Sequence, residues 1–153
     1  GSANVVALDV QRAILKDRGL EALAVFIADR LARVSEPAAK PWVDLVRAGL
    51  ESRSRQTAAW ATLPADEREL QARPGADALY HLLAGALLLA EGQALRERGQ
   101  GYRKLLAAGL YLDRWLEPRG PASPLFTGRQ IAWLDALADW RPVEAAALAD
   151  VEG

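Results

Sequence analysis

The chain carries one histidine, His81, and no cysteine. Those two facts bound the chemistry it could do. A zinc or di-iron centre in a helical protein needs several His, Cys or carboxylate ligands, with Glu-x-x-His as the usual di-iron signature, and no such set is present. A Ser–His hydrolase would have to use His81, and there is no Gly-x-Ser-x-Gly elbow. There is no Gly-x-x-x-x-Gly-Lys phosphate loop; Gly99-Gln100-Gly101 is too short for one and reads as a turn. No catalytic residue and no metal ligand is assigned. His81 lies within an apolar run, which favours a core histidine hydrogen-bonded to one partner over a functional one. Arg96, Arg98, Arg103 and Lys104 cluster around the turn and could contact phosphates, but Glu91 and Glu97 stand beside them and a solvated loop is the favoured reading. Trp133 and Trp140 could form a protein-contact patch, with burial in the fold at least as well supported.

The elements that must position these residues are all helical. The run from Ala76 to Arg98 is the organising one. Between Ala78 and Ala90 only His81 is clearly polar and no β-branched residue occurs, a composition that suits helix. A helix with no wet face must be enclosed by others. The run is read as too short, and too closely flanked by charge, to span a bilayer. Gly85 and Gly92 each cost roughly 1 kcal/mol of helix propensity against Ala, which predicts close approach by a neighbouring helix.

Around it, Asn4 reads as the N-cap of a helix over Val5–Asp17, with Val6, Val10 and Ile14 as its stripe and Leu8 and Leu15 widening it. Gly19 breaks or bends that helix. Leu20, Leu23, Ile27, Leu31 and Val34 lie on one face of a second helix. Pro41 opens a third that runs to Trp60. Pro64 starts a short helix that Arg73-Pro74-Gly75 ends. After the central helix, the turn at Gly99–Gly101 forces Tyr102–Leu116 to return antiparallel, with Gly109 expected to mark its contact with Gly85. Pro118–Pro124 reads as a loop. Thr127 and Gln130 form a capping box, and Phe126 with Ile131 a hydrophobic staple. Ile131, Leu134 and Ala138 make one stripe of that helix, and Trp133, Leu137 and Trp140 a second. Pro142 opens a last helix to Val151. The fold class is all-α, an antiparallel bundle of about six to eight helices.

At 153 residues the chain suits one domain, enough to bury roughly 70% of its unfolded surface. Net charge is −1, so no global field draws nucleic acid or an anionic membrane. No signal peptide is visible and a cytoplasmic location is expected. The chain has no Met and opens Gly1-Ser2, which reads as an excised segment, with those two residues open to two readings, native or a tag scar.

The opening, Gly1-Ser2-Ala3-Asn4-Val5-Val6-Ala7-Leu8-Asp9-Val10-Gln11-Arg12, resembles a segment of the flavin-dependent acyl-CoA dehydrogenases. There a catalytic Glu is followed by Gly and Thr or Ser, then by a helix with an aliphatic pattern and an Arg. Asn4-Val5, Leu8-Asp9 and Arg12 are particularly similar to the branch of the alkylation-response flavoproteins. The resemblance implies that residues 1–18 are the last core helix of such a protein and 19–153 a helical C-terminal extension of one helical domain. It implies an FAD-dependent oxidoreductase as parent, with Ser2, Ala3 and Asn4 at the cofactor, where a helix N-terminus favours a diphosphate. The Glu would lie just before Gly1, so the isolated chain is expected to be inactive and to hold no FAD. The implied partners are the parent's upstream flavin domains and further copies in a homo-oligomer, with nucleic acid and membrane not expected. The alternatives are a free-standing helical interaction module and a DNA-contacting extension.

Overall fold

A computed structural model describes residues 2–117 and 126–149. Among these the chain is all helix, with no strand. The helices are α1 (Ser2–Lys16), α2 (Gly19–Ala32), α3 (Lys40–Trp60), α4 (Ala65–Glu97), α5 (Arg103–Trp115), α6 (Gly128–Ala138) and α7 (Ala146–Ala149), with a 3-10 turn at Pro37–Ala39. This is the antiparallel bundle expected from the periodicities. The loop expected at Pro118–Pro124, and the end of the last helix at Val151, lie outside the described residues.

α4 is the axis, but the expected full enclosure is only partial: its middle buries one broad face, while Tyr80 and Leu87 stay exposed. Leu79, Leu82, Ala86 and Leu89 are buried in one core with Ile27 and Leu31 of α2, Trp42, Val43 and Val46 of α3, and Leu105, Leu106 and Leu112 of α5. Each fully buried Leu contributes on the order of 1.5–3 kcal/mol. Gly85, Gly92 and Gly49 set how closely the helices approach. A Cβ on Gly85 would run into the end of Leu112, and one on Gly92 would lie 2.9 Å from the backbone nitrogen of Leu105. A Cβ on Gly49 of α3 would lie 2.7 Å from Leu82. α4 ends in a Schellman turn: Gly99, at φ 76, donates its N–H to the Arg96 carbonyl, and Gln100 donates to that of Leu95.

Several expectations are corrected. The helix expected to end at Arg73-Pro74-Gly75 does not end there; α4 runs for 33 residues with Pro74 inside it. Pro74 is exposed, so the missing bond to the Leu70 carbonyl falls on the wet side of the helix, where water replaces it. By length and composition α4 is long and apolar enough to cross a membrane, but Leu79, Leu82, Ala86 and Leu89 are buried in the bundle core, which is compatible with the expectation of no membrane span. Asn4 is not an N-cap; α1 begins two residues before it. The inward face of α1 is Ala7, Val10, Gln11 and Ile14, not the face of Val6 and Leu8. Gln11 wins that position because its side-chain N–H donates to the Arg68 carbonyl of α4 at 2.6 Å. The break between α1 and α2 falls at Arg18, which takes the left-handed conformation at φ 53, and Gly19 opens α2. Gly109 does not meet Gly85; the Trp42 indole of α3 fills the space where its Cβ would be. In α6 the stripe Ile131, Leu134 and Ala138 is exposed, and Trp133 alone of its aromatic stripe is buried. α7 starts at Ala146, not at Pro142.

Gly92→Ala is the sharpest check on the α4–α5 contact. Helix propensity alone would make it stabilising by up to about 1 kcal/mol. Because the new methyl meets backbone, we expect a loss of about 1–3 kcal/mol in denaturant unfolding; a stabilised variant would contradict the packing.

Candidate functional site

Ala3 and Asn4 lie in the first turns of α1 and are exposed. Ser2 belongs to the same helix, but its side chain lies outside the described residues. Asn4 borders a shallow hollow of about 550 Å³ between α1 and the start of α4, whose lining includes Leu8, Asp66, Glu69, Leu70 and Arg73. Two carboxylates therefore face the hollow. Arg73 is held by Asp77 at 2.8 Å, so the hollow's cation is already engaged. The helix end offers backbone donors, while the surrounding charge does not favour a diphosphate. Beside these residues, α1 leaves Val5 and Val6 each 61% exposed and Leu8 40% exposed. α1 thus presents apolar side chains outward as well as inward.

His81 faces α5, half-buried. Its Nδ1 is 2.7 Å from the Tyr111 hydroxyl, and its ring stacks on Trp115 with centroids 4.3 Å apart and planes 10° apart. Tyr80 meets the same imidazole edge-on. This is the single hydrogen-bonded partner that the apolar context implied, set at the bundle surface and not in its core. Burial lifts the Tyr111 phenol above its usual range, and the neighbouring Tyr80 adds to the rise.

The four cations near the Gly99–Gly101 turn do not form one phosphate-facing patch. Arg96 pairs with the buried Glu36 at 2.7 Å and Lys104 with Glu91 at 2.8 Å. Arg103 donates to the carbonyls of Ala136 and Leu137 and packs over the Trp140 ring. Those three are internal fasteners, tying α4 and α5 to the 3-10 turn and to α6. Trp140, expected to help fill a second stripe, is 82% exposed at a left-handed turn.

Among the buried polar groups not singled out from sequence, Asp113 and Gln93 tie the helices together. Asp113 of α5 accepts from Trp42 Nε1 and from Gln130 Nε2, both at 3.0 Å. The signal was present: Asp113 follows Leu112 on the buried stripe of an otherwise apolar helix face. Gln130 also closes the expected capping box, its Oε1 accepting from the Thr127 N–H at 3.0 Å. Gln93 of α4 accepts from the Ser35 and Glu36 N–H groups at 3.2 and 3.0 Å, and donates to Ser35 Oγ and to Glu97. Among the described residues no three His, Asp or Glu side chains converge as metal ligands.

Compared with known proteins, the chain matches no family, no curated protein and no solved structure. The flavoprotein resemblance rests on the opening residues alone.

Tyr111 supplies a pH test. Its phenol keeps its proton more tightly folded than unfolded, so its contribution is present below the ordinary phenol pKa of about 10 and is lost as pH rises through the higher folded value. The stability difference between wild type and Tyr111→Phe should be flat at neutral pH and shrink above pH about 10. A difference that grows with alkalinity would contradict the assignment.

Proposed function

We propose that this chain is the helical C-terminal segment of an acyl-CoA dehydrogenase-like flavoprotein, and that α1 is its docking helix. The single observation that carries the docking role is the outward apolar surface of α1. Val5, Val6 and Leu8 stay exposed while Ala7, Val10, Gln11 and Ile14 hold the helix to the bundle. A helix that is apolar on both sides is stable when something packs on each. The resemblance points to the parent's flavin domains as that second neighbour, with Ala3 and Asn4 brought to the cofactor's edge. In this reading the segment supports cofactor placement and subunit packing and has no chemistry alone. Proton abstraction and hydride transfer need a positioned base and a held flavin, which the upstream domains would supply.

A second reading, a helical module that binds a partner protein, draws support from α6 and the residue before its cap, where Ile131, Leu134 and Phe126 stay exposed. In it α6 and not α1 would carry the contact.

The test joins this segment to flavin-binding domains of the implied kind. Asn4→Ala should reduce FAD retained through gel filtration several-fold, and Val5→Glu/Val6→Glu should loosen the assembly. Neither should lower the melting temperature of the isolated segment, since both sites are exposed there. Full FAD retention and an unchanged assembly in both variants would overturn the reading, and loss of assembly on Ile131→Glu/Leu134→Glu instead would favour the second.

A further inference from the structure

Pro74 divides α4 into two lengths with different neighbours. After it, Leu79, Leu82, Ala86 and Leu89 belong to the main core, and glycines lock the helix against α5. Before it, no residue of α4 belongs to that core. Residues 65–73 instead meet α1 through small or polar contacts: buried Ala7 and Ala72, and the Gln11 bond to the Arg68 carbonyl. Small side chains bury little apolar area, so this contact is the weaker one per residue.

The junction itself is loosely fastened. Pro74 lacks the N–H that would bond the turn before it to the turn after. Gly75, next to it, is buried under the Trp60 ring, which occupies the space where a Cβ would stand. That indole is 2% exposed, yet its Nε1–H has no acceptor among the described residues. A buried donor without a partner weakens the very packing that covers the junction. At the other end, α1 is separated from α2 by the left-handed residue Arg18. Val10 and Ile14 tether α1 to the edge of the main core from outside it.

We propose that α1 and residues 65–73 form an arm that opens as one unit, independently of the bundle core, with Pro74 as its boundary. The purpose of such an arm rests on the docking reading: the helix offered to a partner would be the part the partner locks in place. Its existence does not rest on that reading, because it is a property of the free chain. Segments used for binding are commonly drawn from the low-stability end of a fold.

Native-state hydrogen exchange on the free chain tests it. Amides at 69–73 and in the second half of α1 should exchange together, roughly tenfold or more faster than those of 79–97 and α5. Pro74→Ala restores a continuous ladder across the junction and should narrow that gap several-fold. Uniform protection along α4, or a gap that Pro74→Ala leaves unchanged, would overturn the proposal. A real gap in a chain that never docks would leave the arm standing and remove only the docking reading.

Discussion

Where α5 leans on α4, the α4 backbone is bare, and the rest of the bundle follows from that contact. Gly85 and Gly92 are two turns apart on one face. Leu112 and Leu105, both fully buried, fill the space in front of them. Each glycine sacrifices helix propensity, so the arrangement is favourable only because it lets two helices approach closely and bury leucine on both sides. Once that pair is set, α3 and α2 can cover Leu79, Leu82, Ala86 and Leu89, while Tyr80 and Leu87 of α4 stay exposed. Trp42 takes the opening left by Gly109 on the far side of α5.

Polar groups then fix register where apolar packing would tolerate sliding. Gln93 clamps the α2–α3 connection to α4 by holding the Ser35 and Glu36 amides, and the Arg96–Glu36 ion pair closes the same corner. Asp113 does the equivalent between α3, α5 and α6 through Trp42 and Gln130. Gln93 and Asp113 are buried with named partners, so removing one partner leaves the other unsatisfied, which costs more than the bond itself contributes. The result is a rigid half of the molecule. Among the described residues the α1 end has no comparable polar fastening beyond Gln11, and the proposed docking role falls on that end.

Most of the helices were legible because their signals are local. The capping box of Thr127 and Gln130, the proline start of α3 and the glycine turn after α4 are each decided within a few residues. What was not legible depends on which side of a helix meets water. Pro74 looked like a stop because proline breaks a helix interior, but its exposure lets solvent take the orphaned carbonyl. The stripe of Ile131, Leu134 and Ala138 had the right period for a buried face, and the period does not say whether a neighbour exists to cover it. In α1 the apolar residues lie all round, so periodicity could not choose Ala7 and Gln11 over Val6 and Leu8. As for the candidate site, residues Ser2 to Asn4 came from resemblance and not from local chemistry. The inner polar ties at Asp113 and Gln93 were readable only as polar residues standing on apolar faces.

The central claim is that α4 and α5 are held at close range by side chains that use the missing Cβ of Gly85. A double-mutant cycle of Gly85→Ala and Leu112→Ala in denaturant unfolding tests it directly. The account predicts that Gly85→Ala destabilises the wild type, through the clash with Leu112, and that Leu112→Ala costs about 2–5 kcal/mol as a cavity. In the double variant the new methyl enters the space Leu112 vacates, so the combined loss should fall short of the sum by about 0.5–3 kcal/mol. Losses that simply add would mean that the two residues do not share that space, and would contradict the account.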